Sequence, residues 1–205
     1  TATEIGALFV KGRPVIDAMG LYYGGMIAAP TSATGAVLGD SGAAFDFDGS
    51  TSAVVVPYSA ALNAATFPVE GWIYRDVDTG GIETIIDSRN STGATTGYAL
   101  TVTAADKLAL TLADGSATVT ATTGSLTTGA WNHVAATFAG PGANGVNLYI
   151  NGVLDGTGTD AMTQNTTGPS PVAISVSVTT CGIPSSASSD RIGFRFMFVP
   201  RVVIM

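Results

Sequence analysis

The chain has 205 residues, enough for one domain with a real core, and 46% of them are apolar while only 11% carry charge. A net charge of −7 excludes a nucleic-acid surface, since phosphates would be repelled, and 26 glycines beside abundant Ala, Thr and Ser exclude a protein built on helices. No stretch approaches the roughly 20 apolar residues of a membrane helix, so no membrane insertion is expected.

Residues 1–43 form a Gly- and Ala-rich lead segment. Its pattern predicts an opening strand near 5–10, irregular chain through MGLYYGGMIAAPTSATG and a return at 36–38. Aromatic and aliphatic residues set among glycines would either cap the body of the protein or serve as an arm that docks onto a partner. Two origins fit the start of the chain. Thr1 suits a secreted form whose signal has been removed, or a cytoplasmically made chain trimmed of its initiator Met; TATEIGALFVKGRP itself has no signal pattern.

Residues 44–205 read as strands and turns. Phe45 and Phe47 alternate with Asp46 and Asp48, which puts the rings on one face and the carboxylates on the other. Asp48-Gly49 turns the chain into a strand at 53–56 that stops at Pro57. In TFPVEGWIYR, residues 66–75, Glu70, Trp72 and Tyr74 share one face, and Val69, Gly71 and Ile73 share the other. Strands follow at 82–87 and 97–103 around a polar loop. Leu108, Leu110 and Leu112 alternate before Asp114-Gly115, a hairpin turn of type I′, and Val119 lies on the return strand.

The stretch WNHVAATFAGPGANGVNLYING, 131–152, predicts strands at 131–138 and 146–150. Asn144-Gly145 closes the loop between them, and Asn151-Gly152 reverses the chain again. The result is an antiparallel meander. Beyond Gly168 the composition shifts: only one of the 15 acidic residues, Asp190, lies there, against three of the eight basic ones. Val172, Ile174, Val176 and Val178 predict one strand, and 192–199 a last one with Phe194, Phe196 and Phe198 on one face. The apolar end VVIM must pair inside the sheet, meet a partner, or be a divergent or misread end.

Two separated stretches carry a family resemblance. W-x-H-V-A-x-T-F followed by L-Y-I-N-G-V, and F-D-G-S-T-S-x-V-x-V-P-Y-S-x-x-L-N, resemble the laminin-G-like jelly rolls of the concanavalin A-like lectin/glucanase superfamily, over 44–168. The resemblance implies an all-β fold, an antiparallel two-sheet jelly-roll sandwich with atypical closing strands. Its signature residues here are Phe47, Asp48, Gly49, Trp72, Trp131, His133, Asn151 and Gly152. Relatives that bind a structural Ca²⁺ make Asp17 and Asp48 the calcium candidates; no other cofactor is implied.

Catalysis is not expected. Retaining glycosidases of this scaffold place two carboxylates on one strand about 5 Å apart. The chain has only Glu4, Glu70 and Glu83, in no such run, and no Ser-His-Asp grouping or metal-ligand spacing. His133 reads as a structural histidine bonded to backbone or water, Trp72 and Trp131 as core residues of the inner face, and Cys181 as an inert thiol. Asn90-Ser91-Thr92 reads as plain loop despite matching a glycosylation sequon. No ligand-binding residue stands out.

Acidic, Ala/Thr/Gly-rich and cysteine-poor, the chain resembles virion proteins of tailed bacteriophages. That resemblance implies a non-catalytic capsid decoration, head fibre or tail appendage. Its partners would be other virion proteins, a second copy of the chain in a homo-oligomer, and a cell-surface glycan. The alternative is a secreted, extracellular lectin-like domain; a glycosidase comes third.

Overall fold

The structure is a computed structural model that describes residues 15–16, 23–27, 31–34, 43–49, 51–56, 66–89, 97–112, 118–120, 124–140, 142–160, 172–175, 178–179 and 194–197. Every element among the described residues is a strand, and every ladder is antiparallel. Among them no helix is long and apolar enough to cross a membrane.

Two sheets result. One runs in spatial order β1 (Val15–Ile16), β2 (Tyr23–Ile27), β5 (Ala53–Val56), β14 (Val172–Ser175), β7 (Ile82–Asp87), β8 (Tyr98–Val102), β9 (Leu108–Leu112) and β10 (Thr118–Thr120), with β15 (Val178–Thr179) also on β7. The other, of seven strands, runs β13 (Val153–Asp160), β12 (Gly142–Ile150), β11 (Trp131–Phe138), β6 (Phe67–Arg75), β16 (Phe194–Met197), β4 (Ala43–Phe47) and β3 (Thr31–Thr34). Neighbours so distant in sequence make this a jelly-roll sandwich and not a simple meander.

The core follows from alternation. Along β11 every second residue, Asn132, Val134, Ala136 and Phe138, is buried, and β6 answers with Val69, Gly71, Ile73 and Arg75. Leu100, Leu108, Leu110 and Leu112 fill the space from the opposing sheet, all at most 2% exposed. Burying that many aliphatic side chains is the main stabilising term, at about 1.5–3 kcal/mol each before chain entropy is subtracted. Phe45 and Phe47 share the core side of β4 as the alternation predicts, their ring centres 6.1 Å apart.

The strands expected at 53–56, 66–75, 82–87, 97–103, 108–112 and 131–138 are all present within a residue or two at each end. Two expectations change. The supposedly irregular stretch holds β2 and β3, which pair with β5 and β4. Its glycines hide the strand signal, and only long-range pairing supplies it. Asn144-Gly145 does not lie in the loop: β12 starts at Gly142, and the pair sits at an irregularity of the β12–β13 ladder. The strands foreseen near 5–10 and at 36–38, Asp114-Gly115, Asn90 and Cys181 lie outside the described residues.

Of the chain's closing residues, Phe194–Met197 pair inside the sheet, while the apolar end at 202–205 lies outside the described residues. Residues Phe194–Met197 lie between β4 and β6, with Phe194 in register with Phe47 and Arg75, and Phe196 with Phe45 and Ile73. Of the expected strand at 172–178, β14 and β15 are the described parts, both on β7.

Candidate functional site: the solvent side of the seven-stranded sheet

Two side chains anchor the end of the sandwich where β6 runs out. Arg75 and Glu83 are both fully buried, with Nε donating to Oε2 at 2.8 Å. Arg75 also donates to Asp106 Oδ1 at 2.6 Å, to the Leu126 carbonyl at 3.4 Å and to Asp78 Oδ1 at 3.3 Å. Burial opposes the guanidinium charge, but the bonds from Glu83 and Asp106 outweigh it and hold the Arg75 pKa above its ordinary value. The loop before β11 is tied down by Asn132, whose amide donates to the carbonyls of Thr127 and Ala130 and accepts from Thr127 N–H. Nothing in the sequence flagged Asn132, because it fills the variable place in W-x-H.

The F-D-G turn has a local cause. Asp48 Oδ1 accepts from Thr51 N–H, Ser52 N–H and Ser52 Oγ–H, each at 2.8 Å, and Oδ2 accepts from the Thr51 hydroxyl. Gly49, at φ 72°, takes the left-handed conformation the turn needs. Three of these bonds fall on Oδ1 and one on Oδ2, so the carboxylate of this calcium candidate shapes the turn. Asp17 lies outside the described residues, and among those described no group of three His, Cys, Asp or Glu is placed to hold a metal ion.

Trp72 and Trp131 are not core residues, which corrects the expectation from the sequence. Alternation decides it: Ile73 and Asn132 point inward, so their neighbours in the chain point outward, and both indoles are only partly buried. Register then pairs Trp131 with Tyr74 and His133 with Trp72. The Trp72 and His133 rings meet edge-on at 5.2 Å, and Tyr74 and Trp131 do so at 5.5 Å. Such tilted pairs are the favoured aromatic geometry.

His133 is held by its backbone. Its N–H donates to Asn151 Oδ1 and its carbonyl accepts from Asn151 N–H, both at 2.8 Å. Asn151 at φ 51° and Gly152 at φ 80° form the type I′ turn, so the turn and the start of β11 are fastened together. The ring of His133 brings Nε2 to 3.7 Å from Glu70 Oε2. That partner, on the adjacent strand but 63 positions earlier, is invisible to a search along the sequence.

The outer surface so built carries Glu70, Trp72 and Tyr74 from β6, Trp131, His133, Ala135 and Thr137 from β11, and Asn147 and Tyr149 from β12. Phe47, by contrast, is a core residue at 1% exposure. Rings standing partly in water beside a carboxylate and an amide can grip a ligand that has both apolar and hydroxyl-bearing faces. Glu70 and Glu83 are the described glutamates, and they do not converge: Glu83 is sealed against Arg75.

Comparison with known proteins defines the class. A family model described as the concanavalin A-like lectin/glucanases superfamily, of laminin G type, matches residues 48–182. The chain belongs to that family. No curated protein matches it in sequence. Among solved structures it is similar to the binding domain of Paraclostridial Mosquitocidal Protein 1, at TM-score 0.62 and 12% identity over 83% of this chain and 41% of that one. It is also similar to the botulinum neurotoxin serotype C1 binding domain, at TM-score 0.58 and 18% identity over 87% and 44%. A third similar structure is the binding domain of botulinum neurotoxin DC in complex with SialylT, at TM-score 0.57 and 16% identity over 86% and 42%. The chain spans less than half of each of these three chains.

Proposed function

We propose that this chain is a non-catalytic carbohydrate-binding module displayed on the surface of a bacteriophage virion, as a capsid decoration, head fibre or tail appendage. The observation that carries the binding reading is the pair of edge-on aromatic couples, Trp72–His133 and Tyr74–Trp131, on the solvent side of the seven-stranded sheet. Partly exposed indoles present a flat apolar surface to the C–H face of a sugar, and nearby polar groups meet its hydroxyls. The toxin binding domains that share the fold support a recognition role, one of them in complex with SialylT.

A non-enzymatic role is supported by the acid inventory. Glycoside hydrolysis needs two carboxylates flanking one bond. Glu83 has no exposed surface, Asp48 is committed to its turn, and Glu70 stands beside a histidine instead of a second acid. The virion setting is supported by composition: an acidic chain with 26 glycines and a single cysteine. A second reading, a secreted bacterial carbohydrate- or receptor-binding lectin-like domain, is favoured by the likeness to toxin binding domains.

A glycan array tests the binding reading: retention of specific glycans that Trp72→Ala and Trp131→Ala weaken about tenfold supports it, and a blank array rejects it. Co-purification with assembled phage particles supports the virion setting. A soluble monomer that binds glycan and never associates with particles points to the second reading.

A further inference from the structure

β16 is an inner strand of the seven-stranded sheet, yet it is the last of the described elements along the chain. Phe194 is in register with Phe47 on β4 and Arg75 on β6, Phe196 with Phe45 and Ile73, and Met197 with Trp72. Neither neighbour is local in sequence. Without β16 the edges of β4 and β6 would face each other across two strand spacings, about 10 Å, each with a row of backbone N–H and C=O groups left unpaired. The residues bordering that slot belong to the interior: Phe47 and Ile73 are each 1% exposed, and Arg75 is fully buried. An empty slot would open the core to water, so a strand has to fill it.

The chain ahead of β16 is longer than the gap it has to cross. β15 lies in the other sheet, where Val178 is in register with Glu83 on β7. Glu83 meets Arg75 across the sandwich at 2.8 Å, and Arg75 is in register with Phe194. Val178 and Phe194 are thus set apart by one sheet separation and two strand spacings, about 20 Å. Residues 179–193 join them, a length of chain that can reach about 50 Å when extended. Covalent connection therefore does not oblige the strand to enter its own sheet. The slot of a second copy offers the same residues in the same register, so exchange keeps every strand contact. The balance between the two is set by protein concentration against the effective concentration of the tethered strand, about millimolar for a linker of this kind.

We propose that β16 is an exchangeable strand, and that at high local concentration two copies of the chain trade Phe194–Met197 between their β4–β6 slots to form a strand-exchanged homodimer. The interface is the slot, and its occupant is the same strand from the second copy. Main-chain hydrogen bonds on both sides of the donated strand hold the copies together. The inference goes beyond the carbohydrate reading and is independent of it, because the outer face is complete whichever copy fills the slot.

Disulfide trapping between copies tests this. All variants carry Cys181→Ser, which removes the chain's one native thiol. Arg195 is in register with Asp46 on one side and with Tyr74 on the other. Its N–H and C=O point to the same neighbour, so one of the two positions makes the closer, non-hydrogen-bonded pair that suits a disulfide. Chains carrying Arg195→Cys are mixed with chains carrying Asp46→Cys or Tyr74→Cys, incubated just below Tm so that strands can leave their slots, and oxidised. At about 1 mM the expected product is a covalent dimer joining one copy of each variant, well in excess of dimers of like variants, and at about 10 µM its yield falls at least tenfold. Both cysteines of a pair placed in one chain should close within a monomer for at least one of the two pairs. Monomers alone, or a chance mixture of the three dimers, at about 1 mM while a one-chain pair closes overturns the exchange. Failure of both one-chain pairs to close overturns the register on which the inference rests.

Discussion

The two faces of β6 carry opposite duties on the same nine residues. Val69, Gly71, Ile73 and Arg75 are buried, whereas Glu70, Trp72 and Tyr74 are partly open to solvent. The inner face is constrained by volume and by a buried charge pair, so it specifies the fold. Cross-strand rings set the outer face, which is free to specify a ligand. The lesson is that aromatic size is a poor guide to burial in a sandwich: a fully buried arginine lies on the inner face, and the tryptophan on the outer.

The largest expected effect is on the inner side. Glu83→Ala leaves Arg75 buried with only Asp106 and Asp78 to answer it, and should cost about 3 kcal/mol in urea unfolding. A loss below about 1 kcal/mol would mean that the pair is open to water and the two faces are less different than described.

Tyr98 gives the next effect. Burial pushes its phenol up to about 12 from the ordinary 10.0. The folded chain then holds a proton that the unfolded chain releases, so this contribution to stability is complete below pH 10 and is lost as pH rises toward 12, by roughly 2–3 kcal/mol. Tyr98→Phe should remove that loss, measured by denaturant unfolding across the alkaline range. Its ring stacks on Phe67 at 4.4 Å, so the packing survives the substitution.

Smallest in stability is the outer face. Trp72→Ala should lower Tm by only a few degrees, because the indole is only partly buried. Sugar affinity should fall about tenfold in the same variant. A Tm loss as large as that of Glu83→Ala would make Trp72 a core residue after all and erase the contrast.

Much of this was readable beforehand. Period-two alternation at 66–75 and 131–138 located the strands, and Asn151-Gly152 located a turn, because both signals are local. The same alternation already put Trp72 opposite Val69 and Ile73; applying it strictly would have turned both tryptophans outward. The Glu70–His133 approach and the Arg75–Glu83 pair were not readable, since partners on different strands are joined by register and not by spacing.

Alternating side chains and glycine-bearing turns thus determined by themselves that the chain would be built of antiparallel strands, because backbone pleat and left-handed turn geometry act over a few residues; the laminin G type rested on the resemblance of two motifs. Tertiary structure alone decided that residues 23–27 and 31–34 become strands, that Phe194–Met197 lie between β4 and β6, and that an alanine falls between a glutamate and a tyrosine. Those outcomes depend on which strands lie side by side, and strand order is fixed only when the two sheets close around a shared core.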